Sequence, residues 1–260
     1  MKLQISHQTN YYYGEQAQRS VQYIRMTPME LPHQVIHRWD VLLPKVATTL
    51  KDGFGNEWLT LSRNETHDNL QMQASGIVEL NTDTERLEDS KQVPYLLFTV
   101  QSPLTQCSEE MREFAAPFLK TPTHDSLKKM SNELIMTMPF VKEVTHVGTT
   151  ATEAFKTRGG VCQDHTHVFL GMLRDSQIPA RYVSGYLYDD TENHMASHAW
   201  AEVYLDGYWY TFDISNQAFT PSSHVYVAIG RDYLDTAPVR GVRIGGGYEN
   251  LYSQVLVKRL

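Results

Sequence analysis

The chain has 260 residues, a hydrophobic content of 41% and a formal net charge of −7 at pH 7. This length can bury a large core in one or two domains, and the composition is that of an ordinary globular protein. The negative charge argues against nucleic-acid and anionic-membrane partners, because both require clustered Lys and Arg. No apolar run can span a bilayer, and the polar N-terminal stretch does not resemble a signal peptide, so we expect a cytoplasmic protein.

The first hundred residues have the pattern of β-strands. The stretch "VIHRWDVLLP" (35–44) has apolar residues at every second position, Trp39, Val41 and Leu43, and stops at a proline. Asp-Gly and Gly-Asn turn signals precede another apolar run in "DGFGNEWLTL" (52–61), and "LQMQASGIVEL" (70–80) continues in the same manner. Residues 1–102 are therefore predicted to form a β-rich N-terminal domain of antiparallel strands.

Residues 103–260 begin with helical patterns and continue with strands. Ser126 is a plausible N-cap for a run with apolar residues at helical spacing, which Pro139 ends. Thr150 and Glu153 have the spacing of a capping box and predict a second, short helix. Three strand-like stretches then follow, "ARYVSGYLY", "HAWAEVYL" and "YWYTFDI". The whole chain is predicted to be α+β, with helices packed on an antiparallel sheet in this second domain.

The stretch "RGGVCQDHTH" (158–167) contains one of the two cysteines of the chain. The glycine pair and the periodicity after it predict a helix over 162–175, with Cys162 in its first turn. There the unpaired N–H groups and the helix dipole favour a thiolate, and the same N–H groups can stabilise an oxyanion. Position alone leaves a structural role open, because most lone intracellular cysteines are buried and inert. Gln163 is either a structural first-turn residue or part of the site's lining.

A base and an orienting group for that cysteine lie in "SHAWAEVYLDGYWYTFDISNQ" (197–217). The Asp206-Gly207 dipeptide predicts a two-residue hairpin turn. In the resulting register His198, Trp200, Asp213 and Ser215 share one face. His198 and Asp213 are diagonal neighbours in that register, roughly 7–8 Å apart at the backbone, which is within reach of a His–carboxylate hydrogen bond.

The motifs "GVCQDHTH", "IPARYVSGYL", "SHAWAEVYL", "WYTFDISN" and "HVYVAIGRDYLDTAPVRG" resemble the successive signatures of bacterial transglutaminase-like proteins, often described as cysteine proteases. "ISHQTNYYY" and "DGFGNEW" resemble the β-rich N-terminal region that accompanies this core. The resemblance implies a papain-like arrangement with Cys162 as nucleophile, His198 as base and Asp213 as orienting carboxylate. The family usually has Asp-Pro-Thr-Asn where this chain has Asp213-Ile214-Ser215-Asn216, so the backbone just after the aspartate is expected to differ.

The function implied is acyl transfer from an amide through a cysteine thioester, with hydrolysis favoured over transamidation. The expected partner is a peptide, a protein or another amide substrate, and no cofactor is expected. Trp200 and Asn216 are further candidates for lining the site, although an ordinary packed aromatic explains Trp200 equally well. A non-catalytic peptide-binding module on the same fold is the alternative, but such a module would normally have lost one of the three catalytic groups.

Two other kinds of site are weighed and not favoured. His165 and His167 could ligate a metal together with His194, His198 and His224. However, nothing repeats at zinc-like spacing, and residues two apart on a helix point in different directions, so no metal is expected. A redox dithiol would need Cys107 and Cys162 to meet, yet the chain has no CxxC motif, and we treat Cys107 as structural.

Overall fold

The computed structural model describes residues 1–90, 92–190 and 197–260. The chain starts with six strands and a 3₁₀ helix at Tyr95–Thr99; the strands are β1 (Lys2–Ile24), β2 (Gln34–Leu42), β3 (Thr48–Lys51), β4 (Glu57–Arg63), β5 (His67–Leu80) and β6 (Leu87–Glu88). Four helices follow: α1 (Glu109–Leu119), α2 (His124–Thr137), α3 (Ala151–Thr157) and α4 (Cys162–Asp175). The remaining elements are β7 (Ala180–Leu187), β8 (His198–Leu205), β9 (Tyr208–Phe212), β10 (His224–Gly230), α5 (Tyr233–Thr236), β11 (Val239–Gly245) and β12 (Glu249–Arg259).

The first sheet has seven strands and is built around the long strand β1. The strand order is β2-β5-β1-β4-β3, and β11 and β12 also pair with β1. All these pairings are antiparallel. β1 can pair with several strands because different parts of its 23 residues meet different partners. Its N-terminal part lies between β5 and β12, and its C-terminal part lies between β4 and β11.

The second sheet carries the helices. Its five strands have the order β10-β7-β8-β9-β6, and the pairings are antiparallel. Apolar residues of α4, including Phe169 and Leu173, form one buried cluster with Tyr182 on β7, Ala201 on β8 and Phe212 on β9. α4 is thereby held against the sheet, with its first residue near the end of β8 at which His198 lies. Among the described residues, no helix has the length and apolar character needed to cross a membrane.

The predicted α+β class is confirmed, and so is the helix over 162–175. One helix start differs from its prediction. The N-cap is Thr123, whose hydroxyl accepts a hydrogen bond from Ser126 N at 3.1 Å, while Ser126 Oγ accepts one from Thr123 N at 2.9 Å. Ser126 is therefore the N3 residue of a capping box, and the helix begins three residues earlier than an N-cap at the serine predicts.

The chain is distributed between the two sheets differently from the division into residues 1–102 and 103–260. β6 precedes that boundary but pairs with β9 of the second sheet, whereas β11 and β12 follow it and pair with β1 of the first. The physical reason is burial: Val255 and Val257 on β12 join Leu3 and Ile5 in one apolar cluster. The first and last strands of the chain therefore fold together.

Candidate active site

The start of α4 is defined by the side chain of Asp164. Its carboxylate accepts hydrogen bonds from Val161 N at 2.8 Å and from Thr145 Oγ1 at 2.6 Å. A methyl group on Gly160 would lie 2.7 Å from Asp164 Cβ, so only glycine leaves room for this carboxylate. The helix consequently begins at Cys162, whose side chain is partly exposed and not in a disulfide. As the first helical residue, its N–H group has no partner within the helix.

The hairpin that carries the histidine has the predicted register. The pairs run from Leu205 with Tyr208 to Ala201 with Phe212. The turn residues at 206 and 207 have φ angles of 50° and 90°, as a type I′ turn requires of both central residues. The Asp-Gly dipeptide therefore sets the position of His198 on the neighbouring strand.

The regular pairing ends at Phe212, earlier than predicted. Asp213 leaves the ladder and forms a separate bridge with Ala218, with N–H···O distances of 2.9 and 3.2 Å. Ser215 therefore does not lie opposite His198; its hydroxyl bonds instead to His165 Nδ1 at 2.8 Å. The departure from the family pattern after Asp213 does not prevent its carboxylate from reaching the histidine.

His198 and Asp213 form a short hydrogen bond, with 2.7 Å between Nε2 and Oδ2. Burial opposes the charged form of the ring, but the Asp213 carboxylate and the Cys162 sulfur outweigh it and raise the pKa of His198 to about 10. The Cys162 side chain is thus near enough to the ring to contribute to this shift. Burial likewise opposes ionisation of Asp213, but the charge of His198 and the histidine hydrogen bonds bring the pKa of this carboxyl well below its usual value.

Asp213 has two further partners. Asn216 Nδ2 donates to Oδ2 at 2.9 Å, and the Asn216 backbone N–H donates to Oδ1 at 3.2 Å. His224 Nε2 lies 3.1 Å from the same Oδ2, and the ring is fully buried. From the sequence, His224 is a candidate only as a metal ligand. The available signal was a histidine opening the otherwise apolar strand "HVYVAIG", but the pairing of β10 with β7 is not readable from it.

The three candidates for lining the site have different surroundings. Trp200 is fully buried; its ring stacks on His198 at 6.0 Å between centroids and meets His224 edge-on at 4.7 Å. It therefore forms a wall behind the histidine. Asn216 lies on the carboxylate side of the ring, with Nδ2 3.2 Å from His198 Nε2. Gln163 remains partly exposed beside the cysteine and donates its amide to Val147 O at 3.1 Å.

The histidines of α4 are occupied by hydrogen bonds within the fold. His165 Nε2 lies 2.9 Å from Met138 O, and His167 Nε2 accepts from Tyr233 N at 3.1 Å. His198, Asp213 and His224 can each offer a ligand atom within 4.8 Å of the others, which is a spacing that suits a metal. These atoms are hydrogen-bonded to one another, so a metal would have to replace those bonds. His194, the remaining candidate ligand, lies outside the described residues.

Cys107 is a free thiol, like Cys162. It lies outside the histidine cluster, and its sulfur is 3.6 Å from Ser108 O. Burial and the negative charge of Asp175 raise its pKa to about 11. The two cysteines therefore differ in surroundings, because only Cys162 interacts with a protonatable histidine.

Family models match two parts of the chain. The transglutaminase-like superfamily model matches residues 112–214, and the model of the bacterial transglutaminase-like N-terminal region matches residues 3–79. An uncharacterized protein of Mycobacterium leprae is 26% identical, with 100% of this chain and 99% of the relative covered. Another, from Mycobacterium tuberculosis strain H37Rv, is 28% identical over 93% of this chain and 87% of its own length.

A solved structure has the same fold. The crystal structure of a "putative cysteine protease" from Cytophaga hutchinsonii superimposes with a TM-score of 0.80 at 19% identity. The superposition covers 100% of this chain and 91% of that chain. The two family matches identify this chain as a transglutaminase-like core preceded by the bacterial transglutaminase-like N-terminal region.

Proposed function

We propose that the protein is a thiol-dependent acyl-transfer enzyme that hydrolyses amide bonds through a thioester on Cys162. The observation that carries the proposal is the His198 ring, which interacts with the cysteine sulfur and with Asp213 at the same time. A histidine held by a carboxylate beside a thiol suits a thiolate–imidazolium pair. The thiolate is the form of cysteine that attacks a carbonyl.

In the first half of the reaction, the Cys162 thiolate attacks the amide carbonyl carbon and forms a C–S bond. The negative charge moves to the carbonyl oxygen, where the unpaired N–H of Cys162 at the start of α4 can donate to it. The C–N bond then breaks, and His198 gives its proton to the departing amine. Asp213 keeps the ring oriented and stabilises its charge.

In the second half, water attacks the thioester carbonyl and passes a proton to His198. The C–S bond breaks, the carboxylic acid is released, and the thiolate–imidazolium pair is restored. We propose water rather than an amine as the acceptor, because Cys162 is a partly exposed residue and water is by far the most concentrated nucleophile. The substrate is accordingly a peptide or another amide.

The test is cleavage of an internally quenched peptide library by the wild-type protein and four variants. Cys162→Ala should abolish cleavage, and His198→Ala should reduce kcat by several orders of magnitude. Asp213→Asn should leave residual activity, while Cys107→Ala should behave as wild type. Unchanged cleavage by a folded Cys162→Ala protein would refute the proposal. Absence of cleavage by the folded wild type would also refute it and favour a non-catalytic binding module.

A further inference from the structure

An apolar surface lies on the loop between α2 and α3, which is hydrogen-bonded to residues on both sides of Cys162. Four side chains of this loop are exposed although they are large and hydrophobic, with 38% to 61% of their surface accessible. We call this surface the apolar ledge; it consists of Phe140, Val141, Val144 and Val147. Exposed apolar side chains are common singly, but a contiguous group beside a reactive centre marks a binding site.

The apolar ledge is attached to the first turn of α4 by three hydrogen bonds. Val141 N donates to Gly160 O at 2.8 Å, and Thr145 Oγ1 donates to the Asp164 carboxylate at 2.6 Å. The third bond is donated by the Gln163 amide to Val147 O at 3.1 Å. Every acceptor or donor on the helix side lies within two residues of Cys162. The loop is therefore held in place before any substrate arrives.

The valines of the apolar ledge face the chain just before the cysteine. A methyl group on Gly159 would lie 3.4 Å from Val141 Cγ2 and 3.8 Å from Val144 Cγ2, so both side chains stand over this glycine. The Phe140 ring lies 6.2 Å from the ring of His165 on α4. The exposed apolar atoms are thus continuous with the segment that leads into the nucleophile.

We propose that the apolar ledge binds an aliphatic or aromatic side chain of the substrate, within three residues of the amide bond that is cleaved. This proposal rests on the proposed function and names its substrate class. Apolar contact with the apolar ledge removes its surface from water, which favours apolar over charged neighbours of the scissile amide. The preformed loop lowers the entropic cost of that binding.

The experiment compares internally quenched peptides that differ only in the residues flanking the scissile bond. One set carries Leu, Val or Phe at the three positions on either side, and the other carries Asp, Lys or Ser there. The wild type should cleave the apolar set with a kcat/KM roughly tenfold or more higher, the scale of selectivity that apolar pockets supply. The Val144→Lys/Val147→Lys double variant should lose this preference through a fall in kcat/KM on the apolar set.

The matched control is Val46→Lys, because Val46 is an exposed valine in the N-terminal sheet region, away from the cysteine. It should retain the wild-type preference. Should the double variant unfold, Val147→Thr replaces it. This substitution keeps the side chain's shape and exchanges one methyl group for a hydroxyl. Folding is checked by circular dichroism, and iodoacetamide labelling of Cys162 reports whether the nucleophile is intact.

Cleavage without an apolar preference by the wild type would overturn the proposal, as would a preference that survives in the double variant. Self-association of the wild type that the double variant loses, with selectivity unchanged, would overturn the proposal and assign the apolar ledge to contacts between copies of the chain. These outcomes differ from failure of the proposed function, in which the wild type cleaves neither set or Cys162→Ala still cleaves both.

Discussion

At the scale of single residues, Asp213 is the point at which the site's hydrogen bonds converge. Its Oδ2 atom meets His198, His224 and Asn216 within 3.1 Å, although only His198 interacts with the cysteine. Three donors on one buried carboxylate stabilise its charge and fix its direction. We infer that His224 and Asn216 are positioning residues, which act on His198 through Asp213.

Replacement of His224 should therefore impair catalysis without preventing substrate binding. His224→Ala removes a hydrogen bond to a charged group, which is typically about 1.5–3 kcal/mol, so kcat should fall roughly 10- to 150-fold with KM nearly unchanged. His224→Gln can restore a donor and should recover part of the loss. Steady-state kinetics over a range of pH provide the measurement. A loss confined to KM, or no rescue by glutamine in a folded protein, would argue against a positioning role.

The two cysteines should differ in reactivity towards iodoacetamide. At pH 7 Cys162 should be alkylated much faster than Cys107, because the charged His198 ring favours a thiolate, while the pKa of Cys107 is raised to about 11. Peptide mapping by mass spectrometry after timed quenching measures both rates. The His198→Ala variant should slow the labelling of Cys162 and leave Cys107 unaffected. Equal rates at the two cysteines in the wild type would contradict the ion pair.

At the scale of elements, the sequence predicts a helix or a turn correctly where that element depends on residues close together in the chain. The glycine pair and the apolar periodicity predicted α4, and the Asp-Gly turn predicted the register that brings His198 towards Asp213. The place at which β9 ends was not predictable, since it depends on the bridge between Asp213 and Ala218. The contribution of His224 was not predictable either, because it depends on the long-range pairing of β10 with β7.

The start of α4 should be sensitive to a single methyl group. Gly160→Ala would place Cβ 2.7 Å from Asp164 and displace the carboxylate that accepts from Val161 N. The free energy of unfolding should fall by about 1–3 kcal/mol, and alkylation of Cys162 should slow. Gly53→Ala is the matched control, because its added methyl group meets no atom within 4 Å. Denaturant titration measures both; equal stability of the two variants would show that Asp164 does not set the helix start.

At the scale of the whole molecule, the two sheets are joined by their apolar surfaces and by the ends of the chain. Val255 and Val257 of the last strand pack with Leu3 and Ile5 of the first, and Tyr186 of the second sheet belongs to the same cluster. The alternation of polar and apolar residues along "YSQVLVKR" is compatible with a strand. Nothing in the neighbouring sequence predicts that this strand pairs with β1. Because of this long-range pairing, the two sheets do not correspond to two consecutive parts of the chain.

Stability of the whole molecule should decrease on acidification below pH 6.5. Burial lowers the pKa of His7 and His165 to about 4 and that of His167 to about 3, from 6.5. Between these values the unfolded chain binds protons that the folded chain does not. Each unmatched proton should cost about 1.4 kcal/mol of unfolding free energy per pH unit.

On the alkaline side, the raised pKa of His198, about 10, acts together with Cys162. In the proposed thiolate–imidazolium pair the ring keeps a proton that the unfolded chain releases above pH 6.5, but the thiol has given one up. The two changes offset each other up to the pKa of an ordinary thiol, about 8.5. Urea titrations at pH 5, 6.5 and 8.5 should therefore show the acidic loss and little change between pH 6.5 and 8.5, with His7→Gln as a variant that should flatten the acidic limb. Stability that rises on acidification would contradict the assignment of neutral buried histidines.

The proposed reaction requires that Cys162 carry the acyl group during turnover. The most direct measurement is mass spectrometry of the wild-type protein after acid quenching during cleavage of a peptide from the apolar set. We expect a mass increase equal to the acyl half of the peptide, mapped to Cys162 and removed by hydroxylamine, as for a thioester. Product formation with no adduct, or with an adduct on any residue other than Cys162, would contradict it.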